Sequence, residues 1–157
     1  MIYRPCVGIA LFNQAGKVFV GQRLDRTVEA WQMPQGGIDA GETAEQALWR
    51  ELGEEVGLTE AEFIAALPGT YRYDLPDHLA RTLWNGAYKG QEQQWFALVH
   101  RGADSAINIK TAHPEFQEWR WAELEELLDL IVPFKRDVYA QFLPALKQVR
   151  DQHVRKP

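Results

Sequence analysis

The stretch GGIDAGETAEQALWRELGEEVGL, residues 36–58, decides how this chain folds. Gly36-Gly37 reads as the opening of a flexible loop that runs to Gly41-Glu42, after which the period changes. Thr43 followed by Gln46 has capping-box spacing, and Ala44, Leu48, Leu52 and Val56 recur every four residues until Gly57. The pattern predicts a helix with a marked start and a marked stop. On a helix advancing about 100° per residue, Glu54 lies roughly 60° behind Glu51 and Glu55 roughly 40° ahead, so three carboxylates crowd one face. Like charges at these spacings repel, and these sit toward the negative end of the helix dipole. A solvated charged face is one explanation. A hard divalent cation is the other, since Mg2+ takes carboxylate oxygens and shares its remaining positions with water and phosphate.

Working outward, Val7–Phe12 and Lys17–Arg23 are short β-favouring runs joined by Asn13-Gln14-Ala15-Gly16, which predicts a hairpin. A short strand is expected around Trp31–Met33, ending at Pro34. Beyond the helix, Phe63–Leu67, Tyr71–Leu75, Gln94–His100 and Phe116–Trp121 read as strands, with Pro76–Gln93 as a polar loop. The tail reads as two helices, Ala122–Leu130 and one from Lys135 to about Val149, parted by Pro133. Strands and helices interleave without an internal repeat or linker. One α/β domain over residues 1–157, an α/β/α sandwich, is therefore expected.

Composition narrows the chemistry. With 157 residues, 46% of them apolar, a core needs no disulfide or structural metal. A single cysteine, Cys6, excludes an internal disulfide and a Cys-based zinc site, and reads as a small buried residue. The one serine, Ser105, lacks the setting of a nucleophile elbow. No apolar run approaches a membrane span and no signal segment is recognisable, so a cytoplasmic protein is expected. The formal net charge of −5 hides a strong asymmetry. Glu42 to Glu62 carries seven acids against Arg50 alone, a net −6; Glu115 to Asp129 carries six against Arg120, a net −5. Taking both from −5 leaves +6 for the rest of the chain.

Gly36, Glu42 and the run Arg50-Glu51-Leu52-Gly53-Glu54-Glu55-Val56-Gly57-Leu58 reproduce the Nudix box, with nine specified positions over 23 residues. The chain is thereby identified as resembling the Nudix hydrolases. The resemblance implies a mixed sheet in an α/β/α sandwich and Mg2+, with Mn2+ or Zn2+ as substitutes and more than one ion expected. It implies that Glu51, Glu54 and Glu55 bind metal together with a carbonyl from Gly36-Gly37, and that Arg50 and Glu42 brace the loop against the helix. Catalysis is then assigned to Glu51, Glu54, Glu55 and Arg50, with Glu54 or Glu55 as candidate general base. The reaction implied is attack of a metal-activated water on a nucleoside-linked phosphoanhydride.

Outside the box the chain is similar to one branch, the bacterial RNA pyrophosphohydrolases and the related diadenosine-polyphosphate hydrolases. The resemblance is carried by Tyr3 to Gly8, Trp31 to Gly37, Gly90 to Phe96, Pro114 to Trp121 and Val132 to Tyr139. It implies a further metal carboxylate at Glu115. It also implies substrate contacts at Arg4, Arg23 and Tyr73 near phosphate, and at Val132, Phe134 and Lys135 around a base. Asp74, Glu92 and Gln94 stand where that branch often carries lysines, which weakens any grip on an RNA body. The expected substrate is a 5′-triphosphorylated RNA end, which loses pyrophosphate; the alternative is a dinucleoside polyphosphate such as diadenosine tetraphosphate. A nucleoside-triphosphate sanitiser and a catalytically inactive nucleotide-binding module rank below these. A monomer without affinity for duplex DNA or membranes is expected. Of the six tryptophans only Trp84 is a candidate for touching substrate, and the four histidines show no ligand spacing.

Overall fold

Strand β1 (Tyr3–Phe12) is buried at every position from Cys6 onward because both of its faces are covered. The computed structural model describes residues 2–25 and 29–155. Side chains alternate across the strand: Val7, Ile9 and Leu11 join one apolar cluster, Ala10 and Phe12 the other. The first cluster is closed by Ala47, Leu48, Leu52 and Val56 of helix α1 (Ala44–Val56). The second is closed by Val138, Tyr139, Phe142 and Leu146 of helix α4 (Arg136–Val149). Between them lie the two shorter helices α2 (Asp77–Ala80) and α3 (Leu127–Leu130) in chain order. The outcome is the expected α/β/α sandwich.

The remaining strands are β2 (Val18–Arg23), β3 (Trp31–Gln32), β4 (Gln35–Gly37), β5 (Glu62–Ala66), β6 (Tyr71–Asp74), β7 (Gly90–Val99) and β8 (Phe116–Ala122). The order is β3-β2-β1-β7-β5, with β4 beside β1, β6 beside β7 and β8 beside β2. The sheet is mixed. β1 and β7 run parallel from Tyr3↔Gly90 to Phe12↔Val99, and the other pairs are antiparallel. Both central strands change partner along their length. β1 pairs with β4 at Cys6–Gly8 but meets β2 at Phe12. β7 pairs with β6 at Gly90–Gln93 but with β5 further on. The sheet is thus split at one end of the parallel pair.

Helix α1 begins and ends as its sequence dictates. Thr43 Oγ1 accepts from the Gln46 amide at 3.1 Å, and Gln46 Oε1 accepts from the Thr43 amide at 2.9 Å. Gly57 takes φ +76°, a left-handed conformation that a side chain resists, and its amide donates to Gly53 O.

Three sequence expectations need correcting. Gly36-Gly37 does not open a flexible loop; it is strand β4, paired with Val7 and Cys6. The segment 90–93 is not loop but the first part of β7, where Gln91 and Gln93 are buried by the flanking β1 and β6. A polar sequence is tolerated there because its amides are satisfied: Tyr73 Oη donates to Gln91 Oε1 at 2.8 Å and Trp95 Nε1 to Gln93 Oε1 at 2.9 Å. The expected helix over 122–130 is instead the end of β8, a 3-10 turn at Leu124–Glu126 and the single-turn α3. Ala122 is held in the sheet by pairing with Val18, and Glu123 and Glu126 cap the turn that follows.

Candidate active site

The split end of the sheet opens into a cavity of about 450 Å³. β1 contributes Arg4, β2 Arg23, β4 Gln35 to Gly37, β6 Tyr73 and β7 Gln91. α1 adds Glu51, Glu54 and Glu55, and Glu115 enters from just before β8. Phe134 and Lys135 close one side, and Leu79, Leu83 and Trp84 another. Residues far apart in sequence are therefore brought together, while three of the expected site residues, Glu42, Arg50 and Val132, are not among those lining the cavity. Val132 is partly buried against the α4-side core and lines a separate crevice with Trp31 and Ile131. It caps the 3-10 turn Pro133–Lys135, whose Phe134 and Lys135 line the cavity.

Helix periodicity explains why acids are buried here. The apolar stripe Leu48, Leu52, Val56 docks on the sheet, and the adjacent stripe Ala47, Glu51, Glu55 is carried down with it. Glu55 is 3% exposed, and its Oε2 has no hydrogen-bond partner among the described residues. Burial, reinforced by Glu51 and Glu115, pushes its carboxyl well above the usual range. Glu51 is pushed up to about 7, by burial first and by Glu54 and Glu115 besides, against the pull of Arg50. Gly36 makes room for it: a Cβ there would lie 2.1 to 2.4 Å from the Glu51 carboxyl atoms.

Arg50 ties loop to helix. Its Nε and Nη2 donate to the two oxygens of Glu42 at 2.8 and 2.9 Å, a bidentate pair, and Nη2 also donates to Gly37 O at 2.8 Å. Its Nη1 donates to Glu51 Oε1 at 2.8 Å and Glu54 Oε2 at 3.1 Å. The guanidinium beside it lowers the Glu42 carboxyl to about 2. The carbonyl of Gly37 is thus already engaged by Arg50.

All donors lining this end are hard oxygens, and a buried carboxylate oxygen stands without a partner among its like-charged neighbours. That chemistry fits a hard divalent cation. Among the described residues no three acids or histidines converge as a ready-made ligand set, and Glu51 and Glu54 are both turned onto Arg50 Nη1.

The cations behave differently from one another. Arg23 is held by Asp25 in a bidentate pair at 2.8 and 2.7 Å. Lys135 is 3% exposed; its Nζ donates to Gln32 Oε1 at 3.3 Å and lies 5.7 Å from the Tyr73 ring centre and 5.9 Å from that of Phe134. Arg4 makes no ion pair among the described residues; its guanidinium lies 4.7 Å from the Trp84 ring centre.

A family model described as NUDIX domain matches residues 2–142. The chain belongs to the Nudix family. A protein of Sphingopyxis alaskensis named RNA pyrophosphohydrolase is 57% identical over 139 residues, covering 87% of this chain and 88% of that one. One of the same name from Roseobacter denitrificans is 54% identical, covering 92% of each. Among solved structures, the Escherichia coli dihydroneopterin triphosphate pyrophosphohydrolase matches with a TM-score of 0.68 at 22% identity, covering 92% of this chain and 99% of that one. A Caenorhabditis elegans Ap4A hydrolase complex matches with 0.66 at 20% identity, covering 92% and 98%. At such identities these two share the Nudix fold.

Sequence reasoning missed Gln35, Asp25, Gln91, Leu75, Leu79 and Leu83 as cavity residues of this Nudix domain. Leu79 and Leu83 sit at i, i+4 inside the segment read as polar loop, a signal diluted by the charged residues around them. Gln91 was visible only as part of a motif. His100 is buried with Nε2 2.9 Å from Ala103 O, a structural role, while His78, His113 and His153 are exposed. No helix among the described residues is long and apolar enough to cross a membrane.

Proposed function

We propose that the chain is an RNA pyrophosphohydrolase of the cytoplasm. It uses Mg2+ to remove pyrophosphate from the 5′-triphosphate end of RNA, leaving a 5′-monophosphate. The observation that carries this reading is the juxtaposition, in one cavity, of the buried Glu51-Glu55 pair with an arginine that has no carboxylate partner among the described residues and an aromatic wall. The substrate class is supported by the relatives of that name, about half or more identical over most of both chains.

Glu51, Glu54, Glu55 and Glu115, with a carbonyl from Gly36-Gly37, would hold the metal. When bound, it supplies Lewis-acid polarisation, a more acidic water and neutralisation of charge on the leaving phosphate. The chain's own residues do the rest. Arg50, anchored on Glu42 and Gly37 O, fixes where Glu51 and Glu54 point. Arg4 meets phosphate charge, and Arg23 adds a second cation screened by Asp25. Tyr73, Phe134 and Lys135 offer a face and a donor to a base. Glu54 and Glu55 are the two candidates for taking the water's proton. One P–O bond forms to water, the anhydride P–O bond breaks, and pyrophosphate departs with the electron pair.

The face beside the cavity favours an end-on substrate. Glu92 is paired with Arg72, and Asp74 with Lys89 at 3.9 Å and with the Tyr3 hydroxyl at 2.7 Å, so the local charge is balanced. A long backbone gains little there by counterion release. The deciding experiment gives purified protein triphosphorylated RNA and diadenosine tetraphosphate side by side with Mg2+. Faster conversion of RNA to a 5′-monophosphate with pyrophosphate release is expected; faster dinucleotide cleavage with RNA ends intact would reverse the assignment.

A further inference from the structure

We propose that Trp84 is a positioning residue for this site, stacking the Arg4 guanidinium so that it is held over the Gly36-Gly37 strand beside the carboxylates. The inference rests on the reading of the cavity as a phosphoanhydride site and adds to it a residue outside the family box. Two contacts define where Arg4 is held. Its guanidinium carbon lies 4.7 Å from the Trp84 ring centre. Its Nη2 lies so close to Gly37 that a Cβ there would be 2.3 Å away. Every other arginine of the cavity and its brace is bound to carboxylates: Arg23 to Asp25, and Arg50 to Glu42, Glu51 and Glu54. Arg4 has no such pair among the described residues. An aromatic face holds a cation without neutralising it, so Trp84 orders Arg4 and leaves its charge for phosphate.

The turn that carries Trp84 is built for that placement. Trp84 and Asn85 both take left-handed backbone, φ 50° and φ 57°. A bulky side chain adopts that region only when its surroundings over-determine it, and such residues concentrate at ligand clamps. The surroundings are visible: Tyr88 meets the indole edge-on at 6.0 Å, and the indole packs against the α4-side core. A flexible arginine loses rotamer freedom when it grips a ligand, and one already stacked loses less. Removing the ring therefore weakens what Arg4 contributes.

The test is a double-mutant cycle on kcat/KM with wild type, Trp84→Gly, Trp84→Phe, Arg4→Ala and the Trp84→Gly/Arg4→Ala pair. Glycine suits the left-handed backbone, so the turn keeps its course. Trp84→Gly is expected to lower kcat/KM by about two- to thirtyfold, the range a cation–π contact spans, with Trp84→Phe recovering most of it. In the Arg4→Ala background it is expected to cost nothing further. Calorimetric binding of inorganic tripolyphosphate should follow the same pattern. Unchanged kcat/KM in Trp84→Gly, an undiminished loss in the Arg4→Ala background, or a loss that varies with the first base of the RNA would overturn the proposal, the last by making Trp84 a base platform in its own right. Wild-type inactivity on both RNA and dinucleotide would overturn the functional reading instead, and the tripolyphosphate cycle would still decide the coupling of Trp84 to Arg4.

Discussion

Replacing Arg50 with lysine keeps the charge and removes the geometry, which makes it a sharp probe of the brace. Arg50 makes five hydrogen bonds through three nitrogens, to Glu42, Gly37 O, Glu51 and Glu54. An ammonium has three donors at a single point and cannot span these sites, so at least the Gly37 carbonyl and one Glu42 oxygen lose their partner. Charge-assisted bonds contribute about 1.5–3 kcal/mol each when shielded, but the side chain is 27% exposed, so about 1 kcal/mol each is the better figure. Losing two to three of them costs about 2–3 kcal/mol. For a chain of this size that lowers the thermal midpoint by roughly 5–10 °C, read by circular dichroism in EDTA. Glu42→Gln should also lower the midpoint, and the Glu42→Gln/Arg50→Lys pair should lower it by less than the sum of the two, because the two residues share one interaction. The Mg2+ concentration for half-maximal activity should rise in both, since the same guanidinium orients Glu51 and Glu54. An Arg50→Lys midpoint within about 1 °C of wild type would refute the reasoning.

Glu55→Gln replaces a buried carboxyl that burial already pushes toward its neutral form and whose Oε2 has no partner among the described residues, so the midpoint in EDTA should not fall, while turnover drops by about a hundredfold or more and the stabilisation on adding Mg2+ shrinks. A lower midpoint in EDTA with normal turnover would contradict that. Gly36→Ala should cut activity by about 10–100-fold through displacement of the Glu51 carboxylate, measurable as a raised Mg2+ requirement; unchanged metal dependence would count against it. Burial pushes the Cys6 thiol up to about 11 from 9.0, so the folded protein should react slowly with a thiol reagent at pH 8 and rapidly once unfolded. The folded state holds that proton more tightly, so the same shift predicts stability lost as pH rises from about 9 to about 11, and a Cys6→Ala variant should show less of that loss.

What could be read from the chain before its fold was known depended on how local the cause was. Helix α1 was legible at both ends because Thr43, Gln46 and Gly57 act within a turn of their own backbone. The loop reading of 90–93 failed because glutamines in a polar run carry no local strand signal; they are strand only because β1 and β6 lie on either side. The one-turn α3 failed for a related reason, since pairing of Ala122 with Val18 extends β8 into residues that read as helix. Val132 and Phe134 read alike as apolar candidates, and only the course of the 3-10 turn separates the core residue from the cavity residue.

The box glutamates illustrate the division most clearly. The sequence by itself placed Glu51, Glu54 and Glu55 on one helical face, because side-chain direction on a helix follows from spacing alone. It also set the total charge and its concentration in two segments. Tertiary structure decided that Glu51 and Glu55 are buried while Glu54 is half-exposed, and that Arg50 is committed to Glu42 and Gly37. It also placed Arg4 over the Trp84 ring, with no ion pair among the described residues. Desolvation and charge pairing depend on what packs against a side chain from distant parts of the chain. No spacing rule within one segment contains that information.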